Sequence, residues 1–323
     1  EIPGPGAVWM SQSVDWIRPV FVGDDIELEA VVETISKSVG VISLTVNATN
    51  QNGDVVMKGN AKVKLAERMV PESSATSDIT RVALITGGSR GIGAGIAKRL
   101  GQDGVVVAVN YKESKNAAEL VVEHILKEGG SAQAFCADIG DQTSTKNMVD
   151  EIICSYGRLD IIVHGASPKI DRIDVADLTY SDIELFTDIY LRGALAQMEA
   201  ALPGMTERKF GRIIFLGTSF MFNIPPSGVS AYIAAKYALW GLAKSMAAEL
   251  GPKGITTNMV SPGMTVTDLI SDLPVRIKEL EARNSPMRRL ATVQDTAELV
   301  RFLASDLAGY INGAHLPITG GSV

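Results

Sequence analysis

From Val8 to Leu65 apolar residues recur at every second position: Ile26, Leu28, Ala30 and Val32, then Ile42, Leu44, Val46 and Ala48, then Met57, Ala61, Val63 and Leu65. Successive side chains of an extended strand point to opposite faces, so this period predicts half-buried antiparallel strands. The breaks fall at Gly23-Asp24, Val39-Gly40 and Asn52-Gly53-Asp54. The last is a hairpin signal, because Asn and Gly tolerate positive φ. Residues 71–80, rich in Ser, Thr, Pro and Glu, predict a linker. Beyond Arg81 the pattern changes to short continuous apolar runs, at 105–109, 132–136, 161–163, 213–216 and 257–260, separated by stretches of helical period. Runs apolar on both faces are buried on both faces, and their alternation with helices predicts a parallel sheet covered by helices on each side.

Length and composition refine that picture. A chain of 323 residues exceeds what one core usually serves, which predicts two domains or one large domain with an appendage. With 46% hydrophobic and 21% charged residues the composition is that of a soluble globular protein. The net charge is −7 and there is no basic cluster. Binding to a phosphate backbone is driven by cations that release counterions, so no nucleic-acid partner is expected. Cys136 and Cys154 are too few for a disulfide framework. Both fall in segments that read as core strand or helix, which points to a reducing, cytoplasmic setting. No apolar run approaches the roughly 18 residues a bilayer span needs, and no charged-then-apolar leader opens the chain. The first residue is Glu1 rather than Met, which suggests a fragment of a longer polypeptide.

Two constellations carry chemistry. The run Thr86-Gly87-Gly88-Ser89-Arg90-Gly91-Ile92-Gly93 follows the apolar residues 82–85 and precedes a helix-forming stretch, 94–100. A buried strand there hands a glycine turn to a helix N-terminus, whose backbone amides can hold a pyrophosphate. Tyr232 and Lys236 lie four apart in the helical stretch 231–250, so they share a face. An ammonium about 4 Å from a phenol, at an effective dielectric near 20, is worth roughly 4 kcal/mol, enough to lower the phenol's pKa by up to ~3 units. Such a phenol can exchange a proton near neutral pH.

With the glycine turn, the Tyr232 and Lys236 pair and Asn258-Met259-Val260-Ser261-Pro262-Gly263 in this order, residues 81–323 resemble the short-chain dehydrogenase/reductase family, and within it the 3-oxoacyl thioester reductases. The resemblance extends through residues 289–306 and the terminal stretch 313–321. It implies a Rossmann-type, doubly wound α/β fold. Residues 3–24 and 50–65, within a first segment spanning 1–70, resemble the later strands of a MaoC-like hot-dog hydratase. The central helix and the Asp/His pair of such an enzyme have no counterpart in this segment, so it is expected to be a small antiparallel β domain without hydratase activity of its own.

The resemblance assigns roles residue by residue. Tyr232 would protonate the alkoxide formed as hydride reaches the carbonyl carbon, and Lys236 would also bind the nicotinamide ribose. The hydroxyl that orients the carbonyl is Thr218 by strand register and Ser219 by spacing to the tyrosine, with register slightly preferred. Gly87, Ser89, Arg90, Gly91, Ile92 and Gly93 would line the pyrophosphate, and Asp138 with Ile139 the adenine. Gly165 and Ala166 would follow the fourth strand, while Pro262, Gly263, Thr265 and Thr267 would meet the carboxamide and phosphates.

Cofactor choice turns on the end of the second strand, Asn110-Tyr111-Lys112. No carboxylate stands there to select a ribose 2′-hydroxyl, and Arg90 with Lys112 can pair with a 2′-phosphate, which favours NADPH over NADH. Two positions depart from the family pattern. His164-Gly165-Ala166-Ser167 replaces Asn-Asn-Ala-Gly, and Tyr190 replaces an Asn that ordinarily supports a water relay to the lysine. Tyr190 either supplies a different hydroxyl or leaves that relay broken, and His164 reads as a packed histidine rather than a catalyst.

The expected substrate is an acyl thioester, carried by CoA or an acyl carrier protein. Glu207-Arg208-Lys209 and Arg212 lie where related reductases present cations to a carrier, or else form a solvated loop. Residues 266–290, with Leu269, Ile270, Leu273, Val275, Ile277 and Leu280, suit either a mobile lid or a packed helix. The resemblance also implies a homo-oligomer, dimer or tetramer, and no metal. A hydratase-like segment ahead of a reductase suggests successive steps on one thioester. The alternatives are a reductase or dehydrogenase for another ketone or secondary alcohol, such as a sugar or steroid, and a catalytically impaired scaffold within a multienzyme complex.

Overall fold

The computed structural model describes residues 7–36, 41–65, 80–267 and 274–322. The predicted linker, apart from Thr80, and Leu269, Ile270 and Leu273 of the candidate lid lie outside the described residues. The chain divides into two compact units, Glu1–Ile79 and Thr80–Val323.

In the first unit β1 (Ala7–Trp16), β2 (Ile26–Ser36), β3 (Val41–Asn50) and β4 (Val55–Leu65) form one sheet in the order β1-β4-β3-β2, antiparallel throughout. The Asn50–Asp54 turn closes the β3–β4 hairpin, with Gly53 at φ +80° and Asn50 Oδ1 accepting from the amides of Asn52 and Asp54. The period-two pattern is real, but the expectation of half-burial fails on β1 and β2. Leu44, Ala61 and Val63 are buried on the inner strands, whereas Leu28 is 63% and Ile35 59% exposed on β2, and Met10 57% and Trp16 72% on β1. Among the described residues both strands lie at the sheet edges. Period two fixes which residues share a face, not whether that face is covered.

The second unit is the expected parallel α/β sheet. It contains β5 (Val82–Thr86), α1 (Gly91–Gln102), β6 (Val106–Tyr111), α2 (Lys115–Lys127), β7 (Ser131–Cys136), α3 (Gln142–Tyr156) and β8 (Ile161–His164). There follow α4 (Tyr180–Thr187), a π-helical turn (Asp188–Arg192), α5 (Gly193–Glu207), β9 (Gly211–Leu216), α6 (Ser230–Leu250), β10 (Ile255–Pro262), α7 (Val275–Asn284), α8 (Val293–Ala304) and β11 (His315–Ile318). The seven strands run β11-β10-β9-β8-β5-β6-β7 and all pairings are parallel. From β5 the chain winds outward to β7, then returns to β8 on the other side of β5. That reversal opens a crevice at the carboxyl ends of β5 and β8, where doubly wound folds bind ligands. Every residue of β5, β8, β9 and β10 is buried, the polar ones among them included. Two cores result, one on each face of the sheet.

The amino end of the sheet is closed by charge. Asp160, with no exposed side-chain surface, accepts from the Val82 amide and is paired with Arg158 at 2.7 Å and Arg208 at 3.2 Å. Arg212 is 4% exposed, donates to the Ser305 and Gly211 carbonyls, and stacks over Phe210, whose ring is also met by Arg81. These contacts overturn the reading of Arg208 and Arg212 as carrier-facing cations: both are committed to internal partners, at the sheet end opposite the crevice. Cys136 and Cys154 are exposed rather than core residues, Cys136 because it ends the edge strand β7. Among the described residues no helix is long and apolar enough to cross a membrane.

Removing one member of a buried ion cluster strands the remaining charges, a loss of about 3–5 kcal/mol. Asp160→Ala is therefore expected to lower the unfolding free energy of the second unit by that amount, read from the urea midpoint. A change within experimental error would remove the cluster from the account of stability.

Candidate active site

The glycine turn is shaped by what it excludes. A Cβ on Gly93 would lie 2.2 Å from the Gly87 carbonyl oxygen, and Gly87 itself sits at φ +68°. Only glycine fits where the first turn of α1 crosses back over the loop. The residues fit a pyrophosphate: backbone amides at a helix start in a glycine-rich turn. Asn110 stands behind this turn rather than facing a ligand. It is 2% exposed, its Oδ1 accepts from the Gly87 amide, and its Nδ2 donates to the carbonyls of Ala137 and Tyr111. Thr86 Oγ1 likewise accepts from the amides of Gly165 and Ala166, tying β5 to β8 at the crevice floor. Thr267 packs over Gly91, which brings the segment after Pro262 and Gly263 across the mouth. Thr265 is 5% exposed and its hydroxyl donates to the Gly263 carbonyl.

At the other wall the structure separates residues that sequence had grouped. Arg90 is exposed, with Nη2 3.3 Å from the Ser114 hydroxyl, at the place where Tyr111 leaves β6. Lys112 is not a free cation: it bridges Asp138 at 2.8 Å, which holds the Asp138 carboxyl below its ordinary range despite partial burial. Ile139 is a core residue, 4% exposed, in the same cluster as Tyr232. Ser89 and Ile92 are partly exposed within the turn and the first turn of α1.

Tyr232 and Lys236 lie one turn apart near the start of α6 and are 8% and 4% exposed. Lys236 Nζ donates to the Leu216 carbonyl at 2.6 Å, at the end of β9. Burial lowers the lysine to about 7 and raises the tyrosine to about 12, the latter pulled back by a hydrogen bond with the Thr218 hydroxyl. The sequence reading, in which the ammonium depresses the phenol, is thus not met in this state. Nζ is 5.8 Å from the Tyr232 ring centre, and burial is the larger cause of the phenol's shift. Thr218 is buried beside Tyr232, while Ser219 opens a short 3₁₀ turn, Ser219–Met221, and is partly exposed. This geometry favours Thr218 over Ser219.

Tyr190 is fully buried in the π turn, with its ring 6.3 Å from that of Tyr232 and its hydroxyl on Ser167 at 2.6 Å, turned away from the reacting face. Phe186, which the sequence reading missed, completes an aromatic triangle at 5.8 Å from Tyr232 and 6.0 Å from Tyr190. Gln197 was missed too. Its Nε2 donates to the Gly193 carbonyl and to His164 Nδ1 at 2.9 Å, which places the histidine's proton on Nε2. A lone amide inside the apolar run of α5 was the available signal. Burial, helped by the nearby Lys236 charge, pushes His164 down to about 3, although Gln197 and the Ile189 carbonyl act the other way. His164 is a packed, neutral residue.

Comparison with known proteins converges on the second unit. Residues 87–322 match the family model described as enoyl-(acyl carrier protein) reductase. The chain is 37% identical over 245 residues to the 3-oxoacyl-[acyl-carrier-protein] reductase of Staphylococcus aureus, covering 75% of this chain and 98% of that protein. The enzyme of the same description from Pseudomonas aeruginosa is 35% identical over 243 residues, 75% of this chain and 96% of its own length. Among solved structures, a short-chain dehydrogenase from Burkholderia cenocepacia in complex with NADP is similar with a TM-score of 0.69 and 36% identity, over 75% of this chain and 98% of its own. The four-stranded sheet lies outside the residues matched by the family model.

Two outcomes follow from the site's geometry. An unfolded His164 takes up a proton near its ordinary value of 6.5, whereas the folded residue waits until about 3, so stability falls as pH drops below 6.5. The slope from this residue is at most about 1.4 kcal/mol per pH unit, and His164→Asn is expected to flatten it in urea titrations between those values. For the hydroxyl donor, Thr218→Ala should reduce kcat more than Ser219→Ala. The reverse ranking would move the donor to Ser219.

Proposed function

The chain belongs to the short-chain dehydrogenase/reductase family, and from that premise we propose that it reduces a 3-oxoacyl thioester to the 3-hydroxyacyl thioester. It is an NADP-dependent oxidoreductase acting on a ketone and secondary alcohol pair. The thioester, the direction and the residue roles are our reading. The observation that carries it is the meeting of the Tyr232 and Thr218 hydroxyls with buried Lys236 at the carboxyl end of the sheet.

NADPH, held at the glycine turn of residues 87–93, would supply the hydride for the carbonyl carbon. Thr218 donates a hydrogen bond that orients the carbonyl oxygen. Tyr232, held protonated by burial, then gives its phenolic proton to the alkoxide that develops there. Burial lowers the Lys236 amine to about 7, and its ammonium stabilises the phenolate that Tyr232 becomes. Tyr190 Oη faces Ser167 and takes no part in this transfer. Arg90 is the cation we assign to the 2′-phosphate, since Lys112 is bridged to Asp138.

We read residues 1–70 as a partial hot-dog unit, on its four antiparallel strands and one-sided apolar pattern, joined through 71–80 to a reductase domain of residues 81–323. A hot-dog hydratase beside a ketoreductase would serve the next step on the same thioester, loss of water from the product, but no residue described here is assigned to it. Exposed Leu195 on α5 and Tyr237 on α6 support a homo-oligomer.

The deciding assay is NADPH oxidation followed by absorbance, with acetoacetyl-CoA and its carrier-protein equivalent as substrates. Turnover is expected on at least one thioester, and Tyr232→Phe should lower kcat by about 10²–10⁴-fold, the usual contribution of a general acid. Turnover of other ketones without either thioester would reassign the substrate class.

A further inference from the structure

The one-turn π helix between α4 and α5 carries Tyr190 inward until none of its surface is exposed. Single π turns recur inside helices at functional sites. The side chain has two ends with different partners. At the far end Ser167 Oγ donates to the Pro168 carbonyl at 3.0 Å, so in the 2.6 Å contact between Ser167 and Tyr190 the tyrosine is the donor. Burial raises the Tyr190 phenol well above its ordinary value, so that proton stays in place. The hydroxyl is therefore an anchor. What Tyr190 turns toward the site is its ring, with Lys236 Nζ 3.7 Å from the centroid.

Lys236 needs such a neighbour. Tyr232 faces it from its own helix, the Leu216 carbonyl from β9, neutral His164 from β8 and Tyr190 from the π turn. No salt bridge to Lys236 occurs among the described residues, and desolvation alone drives its pKa down. A cation over an aromatic face is attracted by the ring quadrupole, most strongly where water is excluded.

We propose that Tyr190 is a positioning residue for the reduction: the face of its ring keeps the Lys236 ammonium charged and aimed, in place of a solvent-linked polar side chain. Its effect on turnover rests on the ketoreductase reading; its effect on the lysine does not. A charged Lys236 stabilises the Tyr232 phenolate, so weakening the ring contact lowers the lysine's pKa and moves the alkaline limb of kcat to lower pH.

The test is the titration of Lys236 by NMR of lysine labelled at Cε, alongside the pH profile of kcat, in wild type, Tyr190→Phe, Tyr190→Leu and a protein with pentafluorophenylalanine in place of Tyr190. The fluorinated ring keeps the shape and reverses the quadrupole, so it decides the matter if Tyr190→Leu does not fold. Phe is expected to keep the wild-type titration and the fluorinated ring to lower it by about one pH unit, the size of a desolvated cation–π contact. The alkaline limb should move with it. Equal titrations for Phe and the fluorinated ring would overturn the proposal. If the wild type reduces no ketone, the ketoreductase reading fails, and the lysine titration still decides what Tyr190 does.

Discussion

The site is organised around a lysine taken out of water without an acid to neutralise it. Lys236 is 4% exposed and its one hydrogen bond among the described contacts goes to the Leu216 carbonyl. Removing an ammonium from water costs several kcal/mol after relaxation, and an orphaned charge is tolerated only where dipoles or π faces converge. The carboxyl end of a parallel sheet meets that need: the last carbonyl of β9 points at Nζ while α6 and the π turn supply aromatic walls. The same burial that lowers the lysine raises Tyr232.

The two ends of the sheet divide the labour. At the amino end Asp160 with Arg158 and Arg208 fixes the packing of β5, β8 and α5 through saturated ion pairs. At the carboxyl end Gln197 Oε1 is buried without a hydrogen-bond partner among the described residues, but so is Thr257 Oγ1 in the amino half of β10, so unpaired polar atoms do not mark one end. Arg212, one residue into β9, is held by the Ser305 and Gly211 carbonyls, whereas Thr218, two residues past the end of that strand, lies beside Tyr232.

Features set by local spacing were legible in the sequence. The glycine turn, the strand and helix alternation and the pairing of Tyr232 with Lys236 each follow from short-range geometry, and all three are present. Features set by what lies across from a residue were not. Nothing in the period of β2 says that its apolar side chains remain exposed, and nothing in Lys112 reveals that Asp138, from the end of the next strand, will pair with it. The direction of the Tyr232 shift was not legible, because pair electrostatics can be read from a four-residue spacing, while desolvation depends on Phe186, Tyr190 and the rest of the enclosure. Tyr190 itself was visible as an odd residue, but the direction of its ring belongs to the π turn.

The aromatic triangle of Phe186, Tyr190 and Tyr232 also constrains how this sequence can change. A single exchange of Tyr190 for a small amide would empty a volume that Phe186 and Tyr232 are packed around and remove the hydrogen bond to Ser167. The identity of Tyr190 is thus tied to its enclosure: a replacement of equal volume leaves Phe186 and Tyr232 supported, and a smaller one opens a cavity between them.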